Sequence, residues 1–121
     1  MNDEQDLGLV VVDAALLGKL PPVAGRYVTV LAFRNRFTRS EKVRIELAAI
    51  DNPAGTIEER QIAATVRVGQ ADLAAATYVD LDRDDTRGDV ENFEALGLLD
   101  APGRALEILD APILEKEKYL G

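Results

Sequence analysis

The fold is decided by the stretch Phe37-Thr38-Arg39-Ser40-Glu41-Lys42-Val43-Arg44-Ile45-Glu46-Leu47. Its first part has the form of a capping box, in which the Thr38 hydroxyl and the Glu41 carboxylate satisfy free amides of a first helical turn. Val43, Leu47 and Ile50 then follow at the spacing of one helix face. The stretch therefore predicts an amphipathic helix that turns these three apolar side chains toward the core.

Helical signals continue through the rest of the chain. Thr56 and Glu59 form a second capping box, an acidic loop precedes a third helix, and Pro102 opens a short fourth one. Gly97 has the form of a Schellman stop. The predicted core residues are Val43, Leu47, Ile50, Ile62, Val66, Phe93, Leu96, Leu106 and Leu109. The predicted fold class is mainly α, a small helical bundle of about four helices.

The N-terminal region has a different pattern. Residues 7–17 are mostly apolar and Val-rich, Pro21-Pro22 breaks regular structure, and residues 27–33 alternate as a strand does, with apolar side chains on both faces. We expect an extended arm or β-hairpin that docks on the helices or on a neighbour. The predicted division is an arm over 1–33, a helical domain over 34–112 and a charged, solvated tail over 113–121.

The chain lacks the residue types that most catalytic mechanisms use. The chain of 121 residues contains no Cys and no His, so thiol nucleophiles, imidazole bases and soft metal ligands are missing. Ser40 is the only Ser and lies inside a helix-capping segment. We expect no enzymatic activity and no cofactor.

Charge is unevenly distributed along the chain. The formal net charge is −8, yet residues 26–44 carry six basic side chains against Glu41 alone. The overall acidity argues against a nucleic-acid partner, and no apolar stretch is long enough to cross a membrane. The acidic N-terminus is unlike a signal peptide, which predicts synthesis in the cytoplasm. The separation of a basic segment from an otherwise acidic chain instead suggests contact with other proteins or with copies of the same chain.

One acidic loop imitates a calcium-binding loop. The pattern is Asp80-x-Asp82-x-Asp84-x-Thr86, with Glu91 at the twelfth position. The sixth position, which needs Gly, is Asp85, and the eighth, normally apolar, is Arg87. These departures favour an acidic loop that caps the next helix, with a calcium-responsive module kept as an alternative.

Several segments resemble a group of small proteins of tailed bacteriophages. The matching pieces are Arg36-Phe37-Thr38, Tyr78-Val79-Asp80-Leu81-Asp82, Phe93-Glu94-Ala95-Leu96-Gly97-Leu98-Leu99 and Gly103-Arg104-Ala105-Leu106-Glu107-Ile108-Leu109. The resemblance covers about residues 33–110, and its motifs serve packing and capping. It implies a virion or tail-assembly context and supplies no functional residues.

We therefore expect a structural or accessory tail protein, at the tail tip or fibre-attachment region, that contacts other phage structural proteins or its own copies. The alternative is a non-structural phage protein, such as a tail-assembly chaperone or a small acidic inhibitor of a host protein. The predicted partner-contact residues are Val11, Val12, Tyr27, Val28, Val30, Phe33, Arg34, Arg36 and Arg39.

Overall fold

A computed structural model describes residues 25–121 of the chain. The elements are, in chain order, β1 (Tyr27–Val28), α1 (Val30–Arg34), α2 (Arg39–Ala48), α3 (Ile57–Ala75), β2 (Val79–Asp80), α4 (Asp84–Ala95), α5 (Arg104–Asp110) and a 3-10 helix (Glu115–Glu117). The predicted fold class, mainly α, is confirmed.

Both predicted capping boxes are present. The Thr38 hydroxyl accepts from the Glu41 amide at 3.1 Å, and the Glu41 carboxylate accepts from the Thr38 amide at 2.8 Å. Thr56 and Glu59 make the same pair of bonds at 3.1 and 2.9 Å. Each pair satisfies amides that have no partner within the helix, so the starts of α2 and α3 are encoded locally.

The predicted Schellman motif ends α4. Gly97 has a φ of 76°, and the amide of Leu98 donates to the Phe93 carbonyl at 2.9 Å. The start of α4 differs from the prediction of a carboxylate cap. Its N-cap residue is Arg83, which makes no capping side-chain bond, and Asp84 and Asp85 lie in the first turn, where the helix dipole favours negative charge.

Strand β1 is central to a small sheet-like arrangement. On one side it pairs antiparallel with β2, with Tyr27 opposite Asp80 and Val28 opposite Val79. On the other side Val28 forms an antiparallel bridge with Lys118, and the Thr29 amide donates to the Glu117 carbonyl at 2.9 Å. β1 therefore joins the middle of the chain to its C-terminal segment.

The predicted strand over residues 27–33 is wrong beyond Val28. The Thr29 side chain accepts from the Ala32 amide at 3.0 Å and starts α1. This N-cap turns the chain into a helix and places Phe33 in the core, where its ring packs edge-on against Phe37. The predicted boundary at residue 33 thus falls inside α1, and residues 25–33 are part of the folded unit.

The C-terminal segment packs on the rest of the domain, which the sequence analysis did not predict. Ile113 packs against the core, and the carboxylate of Glu117 pairs with Arg36 at 3.0 Å. Tyr119 stacks on Tyr78 with ring centroids 4.9 Å apart. The expectation of a solvated tail over 113–121 is therefore wrong for Ile113, Glu117 and Tyr119. The side chains of Glu115, Lys116 and Leu120 are exposed.

The core lies where β1, β2 and the helices meet. Its most fully buried apolar side chains are Val28, Val66, Leu81, Val90, Ile108 and Leu109. Val66 and Leu109 were predicted to be there, and the predicted Phe93 and Leu96 pack against it while partly exposed. The prediction is wrong for five residues that are exposed: Val43, Leu47, Ile50, Ile62 and Leu106.

Candidate protein-docking face

Helix α2 is apolar on two opposite sides. Its inner side places Ile45 and the C-cap residue Ala49 in the core, each 7% exposed. Val43 and Leu47 project from the opposite side and are 51% and 62% exposed, and Ile50, just beyond the end of α2, continues their line and is 65% exposed. Since side chains at i, i+4 and i+7 align along a helix, these three form one stripe. We call this stripe, with its flanking residues, the outer face of α2.

Cationic side chains border the outer face. Arg34, Arg39 and Lys42 line the same shallow surface depression as the stripe, with Glu46 the one acidic residue among its lining. Within residues 25–121 none of the three cations takes part in an ion pair. The outer face therefore combines an apolar centre with a positive border, a combination that many protein interfaces share.

The orientation of α2 is determined by Glu41, a charged residue that is fully buried. Its carboxylate accepts four hydrogen bonds: from the Thr38 amide at 2.8 Å, the Asp100 amide at 3.0 Å, and Nε and Nη2 of Arg104 at 2.8 Å each. Arg104 also donates to the Arg36 carbonyl at 3.0 Å. A carboxylate with all its acceptor sites filled can be buried, so α2 turns this side inward.

Burial and hydrogen bonding have opposite effects on the pKa of the Glu41 carboxyl. Burial alone would raise the pKa of its carboxyl, but the bonds from Arg104 and from the Asp100 and Thr38 amides lower the pKa to about 2. The pKa of Arg104 is raised, chiefly by the same pair. The cluster is thus an ion pair that fixes α2 against α5, and it leaves the outer face toward solvent.

Two other arginines of the basic segment are used within the fold. Arg36 donates to the carbonyls of Ile108 and Ala111 at 2.7 and 3.1 Å, and Arg26 donates to those of Leu109 and Ala111 at 2.8 and 2.9 Å. These carbonyls lie at the C-terminal end of α5, where the helix dipole favours positive charge. Arg44 likewise pairs with Asp100.

The predicted partner-contact residues therefore separate into distinct groups. Val11 and Val12 lie outside the described residues. Val28 and Phe33 are buried in the core, Val30 packs against it while partly exposed, and the side chain of Arg36 is buried in its pair with Glu117. Tyr27 is half-buried beside Tyr78. Arg34 and Arg39 are exposed and lie together on the border of the outer face.

The prediction that the apolar stripe faces the core is wrong, because its three side chains lie on the exposed side of α2. Val43, Leu47 and Ile50 carry a stronger apolar signal than Ile45 and Ala49, whose side includes the charged Glu41. The sequence does show that α2 is apolar on both sides. A helix of that kind has a second apolar side that its own core does not bury.

A groove adjoins the outer face. It has a volume of about 830 Å³ between α1, α2, α3 and α4, and it shares Arg34, Lys42 and Glu46 with the outer face. Apolar core side chains such as Phe37 line part of it. Charged side chains such as Arg83 and Asp85 line another part, so the groove has both apolar and charged walls.

The acidic loop does not gather its carboxylates. The Asp80 carboxylate accepts from the Asp82 amide at 3.0 Å, which makes a local turn, and Asp84 lies in the first turn of α4. Over residues 25–121 no group of three or more acidic side chains is arranged to hold a metal ion. The loop is therefore a turn that leads into α4.

Asp89 on α4 faces the groove near Gly69. Burial raises the pKa of the Asp89 carboxyl, and the charges of Asp85 and Asp72 raise it further. Asp89 thus adds an acidic side chain to a groove whose lining also includes Arg34 and Lys42.

Comparison with known proteins gives no relative. No family model matches the chain, and neither a curated protein nor a solved structure matches it. Among the described helices, none has the length and apolarity to span a membrane.

Proposed function

We propose that this protein is a structural or accessory component of a bacteriophage tail, at the tail tip or fibre-attachment region, and that it works by protein–protein contact. The observation that carries the contact role is the outer face of α2, where Val43, Leu47 and Ile50 are more than half exposed. The phage context rests on the resemblance of motifs over residues 33–110.

The chemistry of the outer face defines the class of partner. Three adjacent aliphatic side chains favour an apolar contact, and guanidinium groups such as those of Arg34 and Arg39 bind carboxylates in a planar, two-point geometry. A partner surface with a small apolar centre and acidic border would fit. The groove beside it would accept one projecting apolar side chain.

The first test is the location of the protein. Mass spectrometry of purified particles of the phage that encodes it should detect the chain in a fixed ratio to other tail proteins. Its absence from particles, while it is abundant in infected cells, would overturn the structural role.

The second test addresses the outer face itself. Leu47→Lys combined with Ile50→Lys should leave circular dichroism unchanged, because both side chains are exposed, and should strongly reduce incorporation into particles. The matched control is Leu106→Lys, on α5, where a similarly exposed Leu lies outside the outer face. Equal incorporation of the double variant and the control would contradict a docking role for this face.

A non-structural role is the second candidate, and the acidic surface favours it. Asp82, Asp84, Asp85 and Glu91 are all exposed on or near α4, and the net charge is −8. A tail-assembly chaperone or a small acidic inhibitor of a host protein would present such a surface. Either would be found in infected cells in complex with its partner and be missing from the mature particle.

A further inference from the structure

Helix α2 carries positive charge at the end where its own dipole disfavours it. Arg39 begins the helix and Lys42 follows three residues later, and among residues 25–121 neither side chain forms an ion pair. Glu41, the acidic residue of the first turn, is already paired with Arg104. Because the start of a helix has partial positive charge, a contact that brings negative charge to this end would stabilise α2.

The other end of α2 carries that negative charge. Glu46 lies on the outer face, and Asp51 directly follows the last residue of the apolar stripe. Glu46 accepts a bond from Gln70 at 2.8 Å and Asp51 pairs with Arg60 at 2.9 Å, and each carboxylate has lone pairs for a further donor. The last carbonyls of the helix add partial negative charge at the same end.

A surface that is positive at one end, negative at the other and apolar between is complementary to itself. When two copies meet about a two-fold axis perpendicular to α2, the helices run antiparallel and each start lies over the end of the other. With the axis at the level of Ile45, residues at equal distances before and after Ile45 are opposite each other. Val43 then faces Leu47 of the second copy, and the reverse contact follows by symmetry.

The same register brings opposite charges together. Arg39, Lys42 and Glu46 share one side of α2, because positions i, i+3 and i+7 of a helix align, and a two-fold axis sets this side of one copy against the same side of the other. Lys42 is then within about 3 Å, along the helix, of Glu46 of the second copy. Arg39 is level with Asp51 of the second copy. Each of these pairs occurs twice, and a shift of the axis to Leu47 would lose both.

We propose that two copies of this chain associate through the outer faces of α2, packed antiparallel about a two-fold axis. This rests on the contact role proposed for the outer face and identifies its partner as a second copy. The contact is isologous, so it closes at a dimer. Its apolar centre is small, with Val43, Leu47 and Ile50 from each copy, and we therefore expect dissociation at micromolar concentration.

Charge reversals at Lys42 and Glu46 test the pairing. In a dimer of Lys42→Glu chains, or of Glu46→Lys chains, like charges are opposite each other, and each variant should dimerise about tenfold more weakly than the unchanged chain in sedimentation equilibrium. An equimolar mixture of the two variants restores opposite charges and should dimerise at least as strongly as the unchanged chain at low salt. A mixture that associates no more strongly than its separate components would overturn the proposal.

The absence of Cys from the chain permits a test of the orientation. Ser40 and Ile50 are exposed and level with each other in the antiparallel dimer, so a mixture of Ser40→Cys and Ile50→Cys chains should form a mixed disulfide. In a dimer of either variant alone the two thiols are about 15 Å apart along the helices, too far to react. The matched control mixes Ser40→Cys with Leu106→Cys, at a similarly exposed Leu outside the outer face.

We expect the mixed disulfide of Ser40→Cys and Ile50→Cys to form at least about tenfold faster than the disulfide of the control mixture. Equal rates would overturn the contact through the outer face. Faster oxidation of either variant by itself than of the mixture would overturn the antiparallel arrangement.

The dimer and the tail role can fail independently. If the chain sediments as a monomer at all concentrations while the variant with Leu47→Lys and Ile50→Lys is lost from particles, the outer face binds a different protein and the dimer is overturned. If the dimer forms but the protein is absent from particles, the dimer stands and the structural tail role fails.

Discussion

Glu41 is the residue that determines which side of α2 becomes the core. A carboxylate is ordinarily kept at the surface, yet here two backbone amides and the Arg104 guanidinium supply all the bonds it requires. The sequence reveals the capping role of Glu41 because Thr38 lies three residues before it. It does not reveal the pair with Arg104, because that partner lies 63 residues away.

The pKa of Glu41 predicts a defined pH dependence. Its value in the folded protein is about 2, below the ordinary 4.5, so the stabilisation is complete above pH 4.5 and is lost as the pH falls toward 2. The shift corresponds to about 3 kcal/mol of unfolding free energy. Urea denaturation from pH 6 to pH 2 should show this loss, and NMR titration of the Glu41 carboxyl should give a midpoint near 2.

Glu41→Gln should remove that part of the pH dependence and lower the unfolding free energy at neutral pH by about 3 kcal/mol, because Arg104 loses its buried counter-charge. Asp51→Asn is the control. Asp51 also has a lowered pKa, through its pair with Arg60, but this pair is at the surface and screened by solvent. If the Glu41→Gln variant kept the full pH dependence, the assigned role of this carboxylate would be contradicted.

Two glycines, one inside α4 and one just after it, predict opposite effects of one substitution. Gly97 has a φ of 76°, which an L side chain rarely adopts, so Gly97→Ala should lower stability by about 1 kcal/mol. Gly88 lies within the helix with open space around its Cα, so Gly88→Ala should raise stability by about 0.5–1 kcal/mol. Thermal denaturation of both variants measures the difference, and a rise in stability for Gly97→Ala would contradict the role given to its positive φ.

At the scale of elements, the helices were more predictable than their orientations. The starts of α2 and α3 and the end of α4 were all predicted correctly, since caps depend on residues within one turn. Strand β1 was predicted too long. The sequence could not show that Thr29 caps a helix, nor that β1 pairs with residues 79–80, more than fifty positions away.

Paired substitutions on α2 test which side is internal. Ile45→Ala should lower the unfolding free energy by about 2–4 kcal/mol, because the side chain is buried in the core. Leu47→Ala should change it by no more than about 0.5 kcal/mol, because that side chain is 62% exposed. Urea denaturation decides between the two sides, and the reverse order of effects would place Leu47 in the core after all.

At the scale of the whole molecule, charge is separated between surfaces. Three basic side chains make hydrogen bonds or ion pairs within the fold: Arg26, Arg36 and Arg44. Three others lie on the outer face of α2: Arg34, Arg39 and Lys42. The sequence indicated a basic segment but not this division, because the partners of the first three arginines come from the C-terminal third of the chain. Its predicted contact set therefore mixed structural residues with surface ones.

The C-terminal segment is expected to stabilise the molecule through Glu117. Its carboxylate faces Arg36, whose side chain is only 7% exposed, so Glu117→Gln should lower stability by about 2 kcal/mol. Hydrogen exchange at the Thr29 and Tyr119 amides should become faster, since both bond across this junction. Glu115→Gln, at an exposed pair with Lys118, is the control and should change neither quantity; equal effects of the two variants would contradict the role of the Arg36 pair.

The central position of β1 has a consequence for how the protein is made. One of its two neighbours, at residues 117–119, is translated more than eighty residues after β1 itself. While the ribosome is still synthesising the chain, that edge of the strand has no partner, whatever the helices have already formed. Completion of the native structure must therefore await synthesis of residues 117–119, and a chain cut short before them would present an open strand edge.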